Sequence, residues 1–69
     1  MDEEMLNLSI HKFLKMVGVR LQREIEQAVA EAIACGAIAG TETLPAAMTL
    51  EITALRLEVR LDGDIQLQS

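Results

Sequence analysis

The spacing of apolar residues changes once along the chain, and this change limits the folds that the sequence can adopt. Before residue 36, apolar side chains recur every three or four positions, which is typical of amphipathic helices. From Met48 onward they recur at every second position, which is typical of β-strands. The sequence therefore predicts an α+β fold in which helices precede strands.

Two amphipathic helices are expected in the first half. The first, over about residues 3–17, has an apolar stripe formed by Leu6, Ile10, Phe13, Leu14 and Val17. The second, over about residues 20–35, repeats the spacing with Leu21, Ile25, Ala28, Val29, Ala32 and Ile33. Gly18 is expected to end the first helix and Gly36 the second, so that a short corner joins the two.

The second half predicts a small antiparallel β-meander, with strands at about 48–53, 55–60 and 64–68. The apolar positions change parity between Ile52 and Leu55, so one straight strand cannot keep them all on one face. A two-residue turn at Thr53-Ala54 corrects the parity, and we prefer it to a single bent strand with a bulge. A three-residue loop at 61–63, with a left-handed Gly63, is expected to make the second reversal.

A single domain over residues 1–69 is expected, with the helices packed on one face of the meander in two layers. A domain of this size buries only about 60% of the surface that its unfolded chain exposes. Phe13 is the only aromatic residue, so the core is expected to be aliphatic. At least one short edge strand stays open. Burying surface against a second copy is one way to stabilise so thin a core.

Features of the sequence argue for a soluble, cytoplasmic protein. No apolar run approaches the ~18 residues that a membrane span requires. The N-terminal segment MDEEML is acidic, whereas a secretory signal would be basic. Cys35 is the only cysteine, which fits a reducing compartment.

Charge is distributed unevenly along the chain. The formal net charge is −5, which disfavours general attraction to nucleic acids. Four of the six basic residues nevertheless occur close together, with no acidic residue between Met5 and Arg23. We refer to these four as the basic patch: Lys12, Lys15, Arg20 and Arg23. The patch is a candidate site for an anion or an acidic partner.

The segment from Val17 to Gly36 has some features of a helix-turn-helix, but its spacing argues against this motif. The recognition helix of such a motif buries a residue about six positions after the turn glycine. Counted from Gly18, that residue is Glu24, and burying an unpaired carboxylate is unfavourable. Leu14 occupies a position that usually holds a small residue. We therefore expect this segment to contribute mainly to the core.

No catalytic, metal or cofactor site is expected, and the protein is not expected to be an enzyme. Cys35 follows the C-terminal end of a helix, where a thiol is not activated, and is predicted to be a buried structural thiol. His11 lies on the polar side of the first helix and is predicted to be solvated. The sequence lacks clustered zinc ligands and a Gly-rich phosphate loop. The segment Asp62-Gly63-Asp64 is better explained by hairpin chemistry than by a calcium loop.

Three segments resemble a family of short, uncharacterised bacterial proteins: SIHKFLKMVGVRLQREIEQAV, AIAGTETLPAAMTLEI and DGDIQL. The resemblance covers the chain from Ser9 to Leu67, and FLKMVGV, QREIE and the junction after TLPA are its most specific parts. It implies a free-standing domain of unknown function, without catalytic residues to transfer. In the family a Ser or Thr often occupies the position of Leu21, where it would form a capping box with Glu24. Leu21 cannot cap a helix in this way.

The leading hypothesis is a cytoplasmic protein-interaction module that forms a homodimer or larger oligomer and has no catalysis of its own. It is motivated by the thin aliphatic core and the open sheet edge. The alternative is a small nucleic-acid-binding regulator that uses the basic patch. A third and weaker hypothesis is an enzyme or redox protein that uses Cys35.

Overall fold

The computed structural model describes residues 1–68, which form two units. The first unit, Met1–Ala37, contains one long helix. The second unit begins at Ile38 and contains a two-stranded β-hairpin. The α+β class and the order of helix before strands are therefore as the apolar spacing predicts.

One helix, α1, extends over Glu3–Ala34 and contains 32 residues. The predicted division into helices at about 3–17 and 20–35 is wrong, because the chain stays helical through Gly18. A glycine inside a helix costs only about 1 kcal/mol relative to alanine, and the interval of four from Val17 to Leu21 continues the helical period. Leu21 lies in the middle of α1 and needs no cap.

The two predicted stripes join into one line of apolar residues along α1. We define the apolar stripe as Leu6, Ile10, Phe13, Val17, Leu21, Ile25, Ala28 and Ala32. Residues 6, 17 and 28 are 11 positions apart, as are residues 10 and 21. An 11-residue repeat corresponds to about 3.67 residues per turn, close to the 3.6 of a straight helix. The stripe therefore stays on one side of the helix over its whole length.

Both ends of α1 are capped by local hydrogen bonds. At the N-terminus, the Asp2 carboxylate accepts a hydrogen bond from the Met5 backbone N–H at 3.1 Å. At the C-terminus, Gly36 has a φ of +80°. The Ala37 N–H donates to the Ala32 carbonyl at 2.8 Å, and the Gly36 N–H donates to the Ile33 carbonyl at 3.1 Å. This is a Schellman motif, and it confirms Gly36 as the residue that ends the helix.

The second unit is a hairpin of two antiparallel strands, β1 over Thr43–Ile52 and β2 over Leu57–Gln66. The predicted meander with strands at about 48–53, 55–60 and 64–68 is therefore wrong: within the described residues the sheet has two longer strands. The first begins five residues earlier than predicted. The second combines the last two predicted strands.

The reversal predicted near Thr53 is present, but it is longer than two residues. Thr53–Leu55 form a 3-10 turn, and Arg56 follows in the left-handed region at φ +52°. The Arg56 N–H donates to the Thr53 carbonyl at 3.1 Å. Leu50 consequently lies opposite Val59, whereas the two-residue turn would have paired it with Leu57. Because this shift is two residues, the apolar side chains remain on the predicted face.

The second predicted reversal, at residues 61–63, does not occur. Gly63 lies inside β2 opposite Ala46, and its φ is not positive. The prediction fails because it begins the first strand at about residue 48, after Pro45. In a two-stranded sheet both strands are edges, where proline is tolerated. Once residues 43–47 form a strand, residues 62–66 have a partner without a further turn.

In this register, paired residues of the two strands have the same character. One face of the hairpin is therefore apolar, and the other is mainly polar. We define the hairpin apolar face as Leu44, Ala46, Met48, Leu50, Ile52, Leu57, Val59, Leu61, Gly63 and Ile65. The opposite face contains the charged residues of both strands, including Glu51, Glu58 and Arg60.

Within the described residues, neither unit buries any of its own side chains. α1 has no buried residue, and the strands contain only partly and fully exposed positions. Neither unit therefore contains an aliphatic core of its own among these residues. The reason is that a single helix and a single hairpin each provide one layer, whereas a core requires two. The packing of helix on sheet and the single-domain organisation stay predictions.

We predict that Gly18→Ala and Gly36→Ala change stability in opposite directions. A methyl group added at either position meets no atom within 4 Å, so the contrast isolates the backbone. Gly18→Ala should raise the free energy of unfolding by about 0.5–1 kcal/mol. Gly36→Ala should lower it by about 1 kcal/mol, because the left-handed conformation is unfavourable for alanine. Thermal unfolding followed by circular dichroism measures both. A loss of stability in Gly18→Ala would show that another surface packs against this glycine.

Candidate functional site

The structure brings the four residues of the basic patch to one side of α1. Lys12 and Arg23 are 11 residues apart, which is about 17 Å along a helix, and Lys15 and Arg20 lie between them. This side of the helix lies largely opposite the apolar stripe, since each residue turns the helix by about 100°. Within the described part of the chain, none of the four cations forms an ion pair.

An open groove lies between the side chains of the basic patch. Met16 and Val19 contribute apolar atoms to it, and Glu24 contributes a carboxylate at one end. The lining therefore combines four cationic side chains with two apolar ones. Its chemistry suits an anion, or a carboxylate carried on an aliphatic stem.

The apolar stripe is a larger surface than the groove. Five of its large side chains keep 40–47% of their area exposed, namely Leu6, Ile10, Phe13, Leu21 and Ile25. α1 is also longer than the ~25 residues beyond which a periodic apolar pattern indicates association with other helices or a membrane span. No helix in the described residues is both long and apolar enough to cross a membrane.

The hairpin apolar face is similarly open to solvent. Ile52 and Leu57 are each 38% exposed, and Leu61 is 58% exposed. The charged residues on the opposite face contribute little to the stability of the hairpin. Arg60 and Asp62 form an exposed ion pair at 3.3 Å, a type worth at most about 1 kcal/mol. Glu51 lies directly opposite Glu58, where like charges repel.

The loop before β1 is organised by the carboxylate of Glu42. Its Oε2 accepts a hydrogen bond from the Ala39 N–H at 2.8 Å. Its Oε1 accepts from the N–H groups of Gly40 and Thr41, at 2.9 and 3.1 Å. These hydrogen bonds favour the charged form, so the pKa of Glu42 lies below its ordinary value, and the bond from Ala39 has the largest effect. Gly40 makes this geometry possible with a φ of +98°.

Sequence reasoning did not identify Glu42 or the full hairpin apolar face. Leu44 and Ala46 continue the even-numbered apolar positions of β1 toward the N-terminus, and this parity could have extended the strand across Pro45. The sequence offers no comparable signal for Glu42. Its role depends on three consecutive N–H groups turning toward one carboxylate, which only the loop conformation shows.

Cys35 and His11 cannot form a catalytic pair within one chain. The 24 residues between them along α1 and its cap correspond to about 36 Å. Cys35 is exposed, so the prediction of a buried thiol is wrong. Nothing in its own unit packs over this helix end, and its Sγ donates to the Ala32 carbonyl at 3.6 Å. His11 is exposed, as predicted.

Among residues 1–68, no three His, Cys, Asp or Glu side chains are grouped so that they could hold a metal ion.

Comparison with known families accounts for the whole described chain. DUF6494, a family of unknown function, matches residues 1–68. The chain belongs to the DUF6494 family. This confirms the resemblance to a family of short proteins, and it assigns no activity. No curated protein and no solved structure shows significant similarity to the chain.

We predict that Glu42→Gln lowers the free energy of unfolding of this DUF6494 protein at neutral pH. The variant should also lose less stability than the wild type as the pH falls. Because the pKa of Glu42 is lowered by folding, its contribution is present above the ordinary glutamate pKa of about 4.3. The contribution is lost as the pH falls through the lowered, folded-state pKa. Urea unfolding between pH 7 and pH 2.5 should therefore show the two proteins converging in acid.

Glu51→Gln is the matched control, since Glu51 faces Glu58 and accepts no hydrogen bond comparable to those of Glu42. It should leave stability at pH 7 unchanged or slightly raised. Equal losses in the two variants would contradict a specific role for Glu42.

Proposed function

We propose that this DUF6494 protein is a cytoplasmic, homo-oligomeric protein-interaction module, a homodimer in its simplest form, with no catalysis of its own. The observation that carries the proposal is that neither unit buries a described side chain of its own, although each has a continuous apolar face. Burial of apolar surface is the main favourable contribution to folding. A second chain can supply the surface that is missing.

Each unit separately needs a partner for its apolar side. Isolated helices owe little of their stability to propensity, and most of it comes from packing an amphipathic face. An isolated two-stranded hairpin is marginally stable in water. Both α1 and the hairpin have the required apolar face, so each is suited to packing against another layer.

The energy available at the apolar stripe is of the right size for a reversible dimer. Full burial of a large aliphatic side chain contributes about 1.5–3 kcal/mol, so the remaining 40–47% contributes about 1 kcal/mol. Ten such side chains in a dimer give about 10 kcal/mol. Association itself costs about 4–15 kcal/mol. The stripe alone therefore supports at most a modest affinity, and the hairpin apolar face is needed for tighter assembly.

The proposed lack of catalysis is supported by the dispersal of reactive groups along the helix, with His11 and Cys35 about 36 Å apart. The cytoplasmic location is supported by the exposed, single Cys35, since an unpaired surface thiol suits a reducing compartment.

We predict a concentration-dependent dimer in sedimentation equilibrium between about 1 and 100 μM, the range of modest interfaces. Leu21→Glu should shift the protein toward monomer, because it places a charge in the apolar stripe. Leu8→Glu is the matched control, since Leu8 is also exposed (51%, against 40% for Leu21) but lies about 140° away around the helix. A wild-type monomer over the whole range would contradict the proposal.

A nucleic-acid-binding regulator is the second candidate function. The observation that favours it is the position of the four residues of the basic patch on one side of α1, without ion pairs in the described residues. The hairpin works against it, because four of the six charged residues between Thr43 and Gln66 are acidic. Such a protein would bind mainly through phosphate contacts and without marked sequence preference.

This second candidate predicts strongly salt-dependent binding to a labelled DNA duplex in fluorescence anisotropy. Four neutralised phosphates correspond to a slope of about −3.6 in the plot of log K against log salt concentration. Replacing Lys12 and Lys15 by Gln should halve the slope, whereas replacing Arg56 and Arg60 should leave it unchanged. A lack of binding at low salt would remove this candidate.

A further inference from the structure

We propose that the apolar stripe binds the apolar stripe of a second copy in antiparallel orientation, with the two-fold axis level with Val19. The inference rests on the proposed homo-oligomeric function and adds the interface and its direction. Its occupant is a second α1, and three properties of the stripe support this choice: its spacing, the sizes of its residues and its area.

The spacing of the stripe is the same in both directions. Its eight residues are separated by intervals of 4, 3, 4, 4, 4, 3 and 4 positions. When the helix is reversed about residue 19, each stripe residue therefore lies level with another stripe residue of the second copy. The facing pairs are Leu6 with Ala32, Ile10 with Ala28, Phe13 with Ile25, and Val17 with Leu21.

The sizes of the residues distinguish antiparallel from parallel packing. In the antiparallel arrangement, the small Ala28 and Ala32 face the large Ile10 and Leu6 of the second helix. In a parallel arrangement each residue faces its own copy. Phe13 then meets Phe13 in the N-terminal half, and alanine meets alanine near the C-terminal end. Helices at a constant separation pack best when large residues face small ones. The antiparallel arrangement meets this condition at both ends.

Electrostatics favours the same orientation. Antiparallel helices place each positive N-terminus near the negative C-terminus of the other, which their macrodipoles favour. The acidic residues Asp2, Glu3 and Glu4 would lie side by side in a parallel pair. In the antiparallel pair the two acidic clusters are about 48 Å apart, because 32 residues separate them along the pair. The basic patch remains accessible on the outer side.

The contact area is large enough for a specific interface. α1 is about 48 Å long, and an apolar stripe about 100° wide on a helix of about 11 Å diameter is about 10 Å across. The stripe therefore provides about 500 Å² per chain and about 1,000 Å² in total, which is the lower limit for a specific interface. The 11-residue spacing allows contact along the full length with little supercoiling.

The native Cys35 makes the orientation directly measurable by disulfide formation. Cys35 continues the line of the stripe, and in the antiparallel pair it lies level with Glu3 of the second copy, since 3 and 35 are symmetric about 19. The two copies of Cys35 would then be about 48 Å apart, whereas a disulfide requires Cα atoms within about 7 Å. Glu3 and Cys35 of one chain are equally far apart and cannot react with each other.

The experiment is mild oxidation of the full-length wild type, Glu3→Cys and Glu4→Cys, followed by non-reducing electrophoresis and mass spectrometry. We expect the wild type to stay at 7.6 kDa and Glu3→Cys to double in mass through links between positions 3 and 35. Glu4→Cys is the matched control, because position 4 is at nearly the same level but about 100° around the helix. It should remain mostly unlinked. Circular dichroism verifies that both variants keep the wild-type helix content.

The alternative outcomes separate this inference from the proposed function. Linkage of Cys35 to Cys35 in the wild type would show parallel helices, and would overturn the orientation but not the oligomer. If sedimentation shows a dimer but Glu3→Cys forms no link, the stripe is not the interface. This outcome would overturn the inference but not the proposed oligomer. A monomer in sedimentation would overturn both.

Discussion

An amphipathic helix and an amphipathic hairpin are each stable only when a dry surface lies against their apolar side, and this requirement governs the whole protein. α1 has its apolar side along 32 residues, and the hairpin has its own along ten residues of each strand. No side chain within residues 1–68 is buried by the contacts described above. Local hydrogen bonds, such as those of the Schellman motif and the Glu42 loop, fix the ends of the elements but cannot replace a core.

The distribution of charge on α1 is compatible with pairing through the apolar stripe. Antiparallel pairing through the apolar stripe would leave the basic patch on the outer side of each helix, so that an oligomer presents the patch more than once. Repetition of a weak site raises its effective affinity. Self-association and recognition of an acidic partner are therefore compatible on the same helix, and the patch need not compete with the stripe for space.

The sequence predicted the type of each half of the fold correctly but placed two internal boundaries wrongly. The predicted boundaries fall at Gly18 and after Pro45, because glycine and proline usually interrupt regular structure. Each is tolerated here for a specific reason. The periodicity continues on both sides of Gly18, and Pro45 lies in a strand of a two-stranded sheet. The parity change near Thr53 correctly located the reversal, since a side chain's face in a strand depends only on its position being odd or even.

Periodicity alone determined the α+β class, the outer limits of the helix, the side of each element that is apolar and the grouping of the basic patch. These are local properties, because they follow from the rise and turn of a regular backbone. Only the three-dimensional structure decided that one helix spans Gly18, that Gly63 lies inside a strand, and that three N–H groups converge on Glu42. Each of these depends on whether a distant segment or an irregular loop supplies a partner, and local spacing does not contain that information.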